Sequence, residues 1–115
     1  EDEDMVRELA ARILRLQGYT VLEAANGRLA LETCKRYSGT IHLVLTDVVM
    51  PEMSGRLLAE ELHAFDPRIK VAFMSGYTDD AVIRHGILDS ASNFLQKPLT
   101  PTPLITKIRE ILDLS

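Results

Sequence analysis

Four places in this chain carry side chains suited to handling a phosphate-like dianion. Asp47 closes the apolar run Leu43-Val44-Leu45-Thr46 and is followed by Val48-Val49-Met50-Pro51-Glu52-Met53-Ser54-Gly55. A short apolar run bounded by turn signals reads as a strand buried on both faces of a parallel sheet. Such a strand lifts its last residue to the carboxyl edge, where open α/β sheets bind ligands. The acidic run Glu1-Asp2-Glu3-Asp4, Ser75 after Phe73-Met74, and Lys97 after Phe94-Leu95-Gln96 can be placed on that same edge. Carboxylates converging on one point repel each other and call for a cation. Hard oxygen ligands with room for water suit Mg2+. A Lys ammonium beside a carboxylate, with a hydroxyl opposite, makes a pocket for an incoming dianion. Phosphoryl transfer needs this equipment: positioning, charge neutralisation and a nucleophilic oxygen in line. Singly, each group has a plainer role. The acids complement a helix N-terminus, Asp47 caps or braces a loop, Ser75 sits in a turn and Lys97 is a surface charge. Their joint occurrence at successive strand ends is what separates the two readings.

The elements that must position these groups alternate along the chain. Val6, Leu9, Ala10, Ile13 and Leu16 form one stripe at helical spacing over residues 4–17, which Gly18 stops. Residues 19–24 read as a strand, and Asn26-Gly27 opens a helix to about Tyr37 with Ala30, Leu31 and Cys34 inward. The strand 42–47 follows, then a helix over 55–65 around Leu58 and Leu62, closed by Asp66-Pro67. Residues 69–74, apolar except for Lys70, read as a second buried strand. Thr78-Asp79-Asp80 caps a weaker helix to about Gly86, its acids at the positive end. Residues 93–96 make a short strand, and Thr100-Pro101 starts the last helix by cap and first-turn proline. This alternation predicts right-handed crossovers and a parallel sheet covered on both faces. A doubly wound sheet also needs its central strand before the first helix. The chain begins at Glu1-Asp2-Glu3-Asp4, so that first strand is expected to be cut off, left out or supplied by another chain.

Composition narrows the classes. With 115 residues, 46% hydrophobic and 26% charged, the chain reads as one domain spanning 1–115 with a modest core. A net charge of -4 with scattered Lys and Arg argues against a direct nucleic-acid surface. No apolar stretch approaches the roughly 20 residues of a membrane span, and no signal-peptide pattern is found. Cys34, the single cysteine, suits a reducing, cytoplasmic setting and a packing role. His42, His63 and His85 lack the acidic neighbour of a phosphorylated kinase histidine, and no Gly-rich nucleotide loop exists.

Taken together, Glu1-Asp2, Asp47-Val48-Val49-Met50-Pro51-Glu52-Met53-Ser54-Gly55, Ser75-Gly76-Tyr77 and Lys97-Pro98 resemble the pattern of response regulator receiver domains of two-component signalling. The resemblance covers essentially the whole chain. It implies a flavodoxin-like sheet of order 2-1-3-4-5 with helices on both faces, and Asp47 as the phosphoacceptor. Mg2+ would be held by Asp2, Asp47 and the Val49 carbonyl, with Glu1 close by. Lys97 and Ser75 would contact the phosphoryl oxygens, Phe94 would be the rotating aromatic coupled to Ser75, and the Lys97–Pro98 bond would be cis. Arg7 favours Glu1-Asp2 over Glu3-Asp4 as the acidic pair. Val49 and Tyr77, each two residues past a site residue, would flank the path of attacking water and slow hydrolysis of the acyl phosphate. The implied partners are a histidine kinase or a histidine phosphotransfer protein, with dimerisation open through the face of the fourth helix, fifth strand and fifth helix. The wording of the loops after Ser75 and before Pro98 also resembles receivers of hybrid sensor histidine kinases.

Two rival classes meet the same residues. A phosphoaspartyl hydrolase of the haloacid-dehalogenase type needs a second Asp two residues after its nucleophile, and Val49 stands there. A receiver-like interaction module that has lost phosphorylation is opposed by the intact Asp47, Ser75 and Lys97.

Overall fold

The structure, a computed structural model, describes residue 1, residues 3–75 and residues 94–113. Its elements are α1 (Asp4–Leu16), α2 (Gly27–Arg36), β1 (Leu43–Asp47), α3 (Gly55–Phe65), β2 (Lys70–Ser75), β3 (Phe94–Gln96) and α4 (Pro101–Asp113). The helix expected from Thr78 to Gly86 lies outside the described residues. The three strands form one parallel sheet in the order β1-β2-β3. Register aligns Asp47 with Met74 and Met74 with Leu95, so the strand ends share one carboxyl edge.

Period-2 alternation in β2 divides the core between the sheet's two faces. Ala72 and Met74 meet Ala10, Ile13 and Leu14 of α1 and Leu104, Ile108 and Ile111 of α4. Val71 and Phe73 meet Cys34 of α2 and Leu58, Ala59 and Leu62 of α3. Burying one such Leu or Ile contributes about 1.5–3 kcal/mol. Cys34 sits in this second layer, where burial raises its thiol pKa, consistent with packing rather than reactivity.

Local chemistry sets the helix boundaries. Asn26 caps α2 by accepting from the Leu29 amide at 2.8 Å, and Ser54 caps α3 by accepting from the Leu57 amide at 3.1 Å. Gly18, at φ 92, ends α1 in a left-handed turn. Its amide donates to Arg15 O at 3.0 Å and that of Tyr19 to Leu14 O at 3.3 Å, the paired bonds of a Schellman motif.

The expected strand over residues 19–24 is corrected. The segment carries no ladder pairing, although Tyr19 and Val21 face inward against the core. The reason lies in the neighbouring backbone. In a parallel strand, alternate residues bond to opposite neighbours. Lys70 N donates to His42 O and Val48 N to Met74 O, so the even-numbered residues of β1 serve β2. The backbone groups of Leu43 and Leu45 therefore point the other way, where no described strand lies. A cavity of about 700 Å³, lined by Ala10, Leu14, Val21, Leu43, Leu45 and Ile108 among others, separates that edge from residues 19–24. Ladder bonds need backbones about 4.8 Å apart, so the two stretches do not pair. α1 holds the segment instead, through Arg15 Nη2 to Val21 O at 2.8 Å and Arg15 Nη1 to Glu23 at 3.1 Å.

Candidate functional site

β1 ends on Asp47, and the following loop turns back to bring Gly55 under the strand end. The Gly55 amide donates to Val48 O at 2.9 Å, and a Cβ at Gly55 would overlap the Asp47 carbonyl oxygen. Only a residue without a side chain fits there. Asp47 is thus 2% exposed, although it closes a strand at the sheet edge. Thr46, equally buried, donates from Oγ1 to the Asp47 carbonyl at 3.1 Å.

The Lys97 ammonium contacts the Asp47 carboxylate directly and lies 3.1 Å from Glu1 Oε2. Two acids and one base leave the described cluster with a formal charge of minus one. Glu1 Oε2 and both Asp47 carboxylate oxygens are buried with no aligned hydrogen-bond donor. Lys97 is close enough to Glu1 Oε2 and Asp47 Oδ1 for Coulombic attraction, without hydrogen-bond alignment to either. Buried carboxylate oxygens without donors are costly. A hard divalent cation is a ligand class that would satisfy all of them.

The electrostatics follow. Burial, then the Glu1 carboxyl beside it, push the Asp47 pKa up to about 7 against the pull of Lys97. Burial opposes charge on Glu1 as well. There the neighbouring Asp47, the Glu3 amide and Lys97 outweigh it, and the pKa falls to about 2. For Lys97 the desolvation also disfavours charge, yet both acids hold its pKa above the ordinary value. Two facing carboxyls cannot both ionise freely without a cation.

The remaining residues singled out in the sequence fall as follows. Ser75 is buried at the end of β2, and its carbonyl accepts from the Lys97 amide at 2.8 Å. The Lys97–Pro98 peptide is cis. Phe94 pairs in register with Phe73 and stacks on it, ring centres 5.5 Å apart. Val49 is 52% exposed at the mouth of the site. Asp2 and Tyr77 lie outside the described residues, and among those described no cluster of three metal-ligating side chains forms. Of the acidic run, Glu1 is buried in the site while Glu3 and Asp4 are exposed. Sequence reasoning used Arg7 only as a marker of register. The structure places its guanidinium on the Glu1 carbonyl at 3.0 Å and on Asp4 at 2.7 Å. The i, i+3 spacing of Asp4 and Arg7 was the available signal.

A family model described as "Response regulator receiver domain" matches residues 1–109. The sensor kinase CckA of Brucella abortus (strain 2308) is 45% identical over 113 residues, covering 98% of this chain and 12% of that protein. The chain thus spans a small part of that relative's length. The crystal structure of the receiver domain from the hybrid histidine kinase CckA superposes with a TM-score of 0.78 at 36% identity, covering 97% of this chain and 94% of that one. The receiver domain of NtrX from Brucella abortus gives 0.86 at 26% identity, covering 100% and 96%. The fold is accordingly the flavodoxin-like α/β class. No helix among the described residues is long and apolar enough to cross a membrane. This chain belongs to the response regulator receiver domain family of two-component signalling.

Proposed function

We propose that Asp47 is a phosphoacceptor that takes a phosphoryl group from a phosphohistidine on a histidine kinase or histidine phosphotransfer protein. The observation that carries this reading is the buried convergence of Asp47, Glu1 and Lys97, with three carboxylate oxygens lacking donors. An Asp47 oxygen attacks phosphorus, forming the acyl phosphate O–P bond. The P–N bond breaks, and the imidazole nitrogen keeps its electron pair. No general base would be needed, because a cation bound beside Asp47 and Glu1 would hold the attacking carboxylate ionised. Lys97 and the Ser75 hydroxyl hold the transferred group's oxygens, and Lys97 offsets the charge developing on them.

Glu1, Asp2, Asp47 and the Val49 carbonyl would hold Mg2+, and the orphaned oxygens of Glu1 and Asp47 fit a hard cation. When bound, the cation neutralises the facing carboxylates and the transferring phosphoryl oxygens. The new group on Asp47 brings up to about two negative charges and three acceptor oxygens. Drawing Ser75 onto it frees the space that Phe94 would enter from its stack on Phe73. That movement shifts the population between two packings of the surface around β3 and α4. Val49 shields the acyl phosphate from water and lengthens its lifetime. The likeness to CckA supports a finer reading, that the chain serves as the receiver of a hybrid sensor kinase.

Incubation with acetyl phosphate and Mg2+, followed by intact mass measurement, tests the central step. The chain should gain the mass of one phosphoryl group, and Asp47→Asn should gain none. Equal labelling of both proteins would end the reading.

A further inference from the structure

We infer that Arg7 is a positioning residue of this site, fixing the backbone of Glu1 so that the Glu1 carboxylate faces Asp47 and Lys97. The inference deepens the magnesium reading above and rests on it for its consequence, though its geometry stands independently.

Arg7 lies one turn into α1 with its side chain only 18% exposed. Its Nη1 donates to the Glu1 carbonyl at 3.0 Å, its Nη2 to Asp4 Oδ1 at 2.7 Å, and its Nε lies 3.7 Å from Glu23 Oε1. One guanidinium thus joins three stretches of chain: the residue entering the site, the first turn of α1, and the segment 19–24. The Glu1 backbone nitrogen lies 3.4 Å from the Ala24 carbonyl on the other side. With its backbone held, the Glu1 side chain has its direction set as well. The Glu3 amide donates to Oε1 at 2.9 Å, which leaves Oε2 toward Lys97 at 3.1 Å. A planar fork of donors can hold a carbonyl and a carboxylate together, which a single ammonium does less well. Partners that orient metal ligands commonly change metal affinity by about 10- to 100-fold when removed.

The test compares the wild-type chain with Arg7→Gln and Arg7→Lys. In metal-free buffer, the readout is hydrogen exchange at the Glu3 amide, which bonds the Glu1 carboxylate, relative to the fully buried Ala72 amide of β2. Arg7→Gln should speed Glu3 exchange by about 10-fold or more with Ala72 unchanged, and Arg7→Lys should fall between. With Mg2+ alone, calorimetry should show the dissociation constant raised about 10-fold in Arg7→Gln. A merely structural arginine would speed both amides together through global unfolding and leave the Mg2+ constant unmoved. That pattern, or unchanged Glu3 exchange in a folded Arg7→Gln, overturns the inference. Absence of Mg2+ binding by the wild-type chain would remove the magnesium reading, and the metal-free exchange comparison would still decide the role of Arg7.

Discussion

Asp47→Asn should make the metal-free protein more stable, and the gain should depend on pH. A carboxyl moved from its ordinary 3.8 to about 7 binds its proton more tightly in the folded state by about 4 kcal/mol, at about 1.4 kcal/mol per tenfold. The folded state therefore carries more bound protons than the unfolded chain between about pH 4 and pH 7. Stability contributed by that proton is complete below the ordinary carboxyl pKa and is lost as pH rises through the folded value. Glu1 has the opposite sign. Its pKa is lowered to about 2, so its contribution is present above its ordinary 4.5 and lost only in stronger acid. Between pH 5 and pH 8 the Asp47 effect stands alone among the two. The wild-type protein should lose about 2–3 kcal/mol across that interval, which Asp47→Asn, having nothing to ionise, does not lose. Urea unfolding in EDTA at pH 5, 6, 7 and 8, followed by far-UV circular dichroism, measures the difference. Parallel pH slopes for the two proteins, or a variant less stable than wild type at pH 8, would refute the electrostatic account. Excess Mg2+ should stabilise the wild type at pH 8 and reverse the order of the two proteins.

Lys97→Gln should destabilise the metal-free protein by about 3 kcal/mol at pH 8, because it leaves two buried carboxylates facing each other without a counter-ion. Urea midpoints with and without Mg2+ check this, and the cation should recover part of the loss. Gly55→Ala sets a methyl group against the Asp47 carbonyl oxygen. It should cost about 2–4 kcal/mol in thermal unfolding, since backbone at the strand end must move. Leu62→Ala, at a fully buried position of α3, should cost about 2–5 kcal/mol while leaving the Glu3 amide's exchange in the folded state unchanged.

Asp47, Ser75 and Lys97 were legible in the sequence because a strand-end position is a local property. An apolar run fixes where a strand stops, and the register of a parallel sheet aligns successive stops on one edge. The caps at Asn26 and Ser54 were legible for a similar reason, since side chain and orphan amide lie within three residues. The segment 19–24 was not legible in the same way. Its alternation, with Tyr19 and Val21 inward and Thr20 and Leu22 outward, reports which side chains meet the core. It cannot report whether a second backbone lies at ladder distance. That depends on what occupies the space beside Leu43 and Leu45, a property of chain remote in sequence. The same limit governed the acidic run. Four consecutive acids look equivalent as residue types, and each could join a cation site or complement a helix dipole. What separates the described ones, Glu1, Glu3 and Asp4, is α1 starting at Asp4 and Arg7 reaching back to the Glu1 carbonyl. Glu3, the N-cap, and Asp4, in the first turn, face solvent, while Glu1 meets Lys97. Among the described acids of the run, the one that enters the site is thus the one whose carbonyl accepts from the Arg7 guanidinium. Deleting it should cost the site its geometry before it costs the domain its fold.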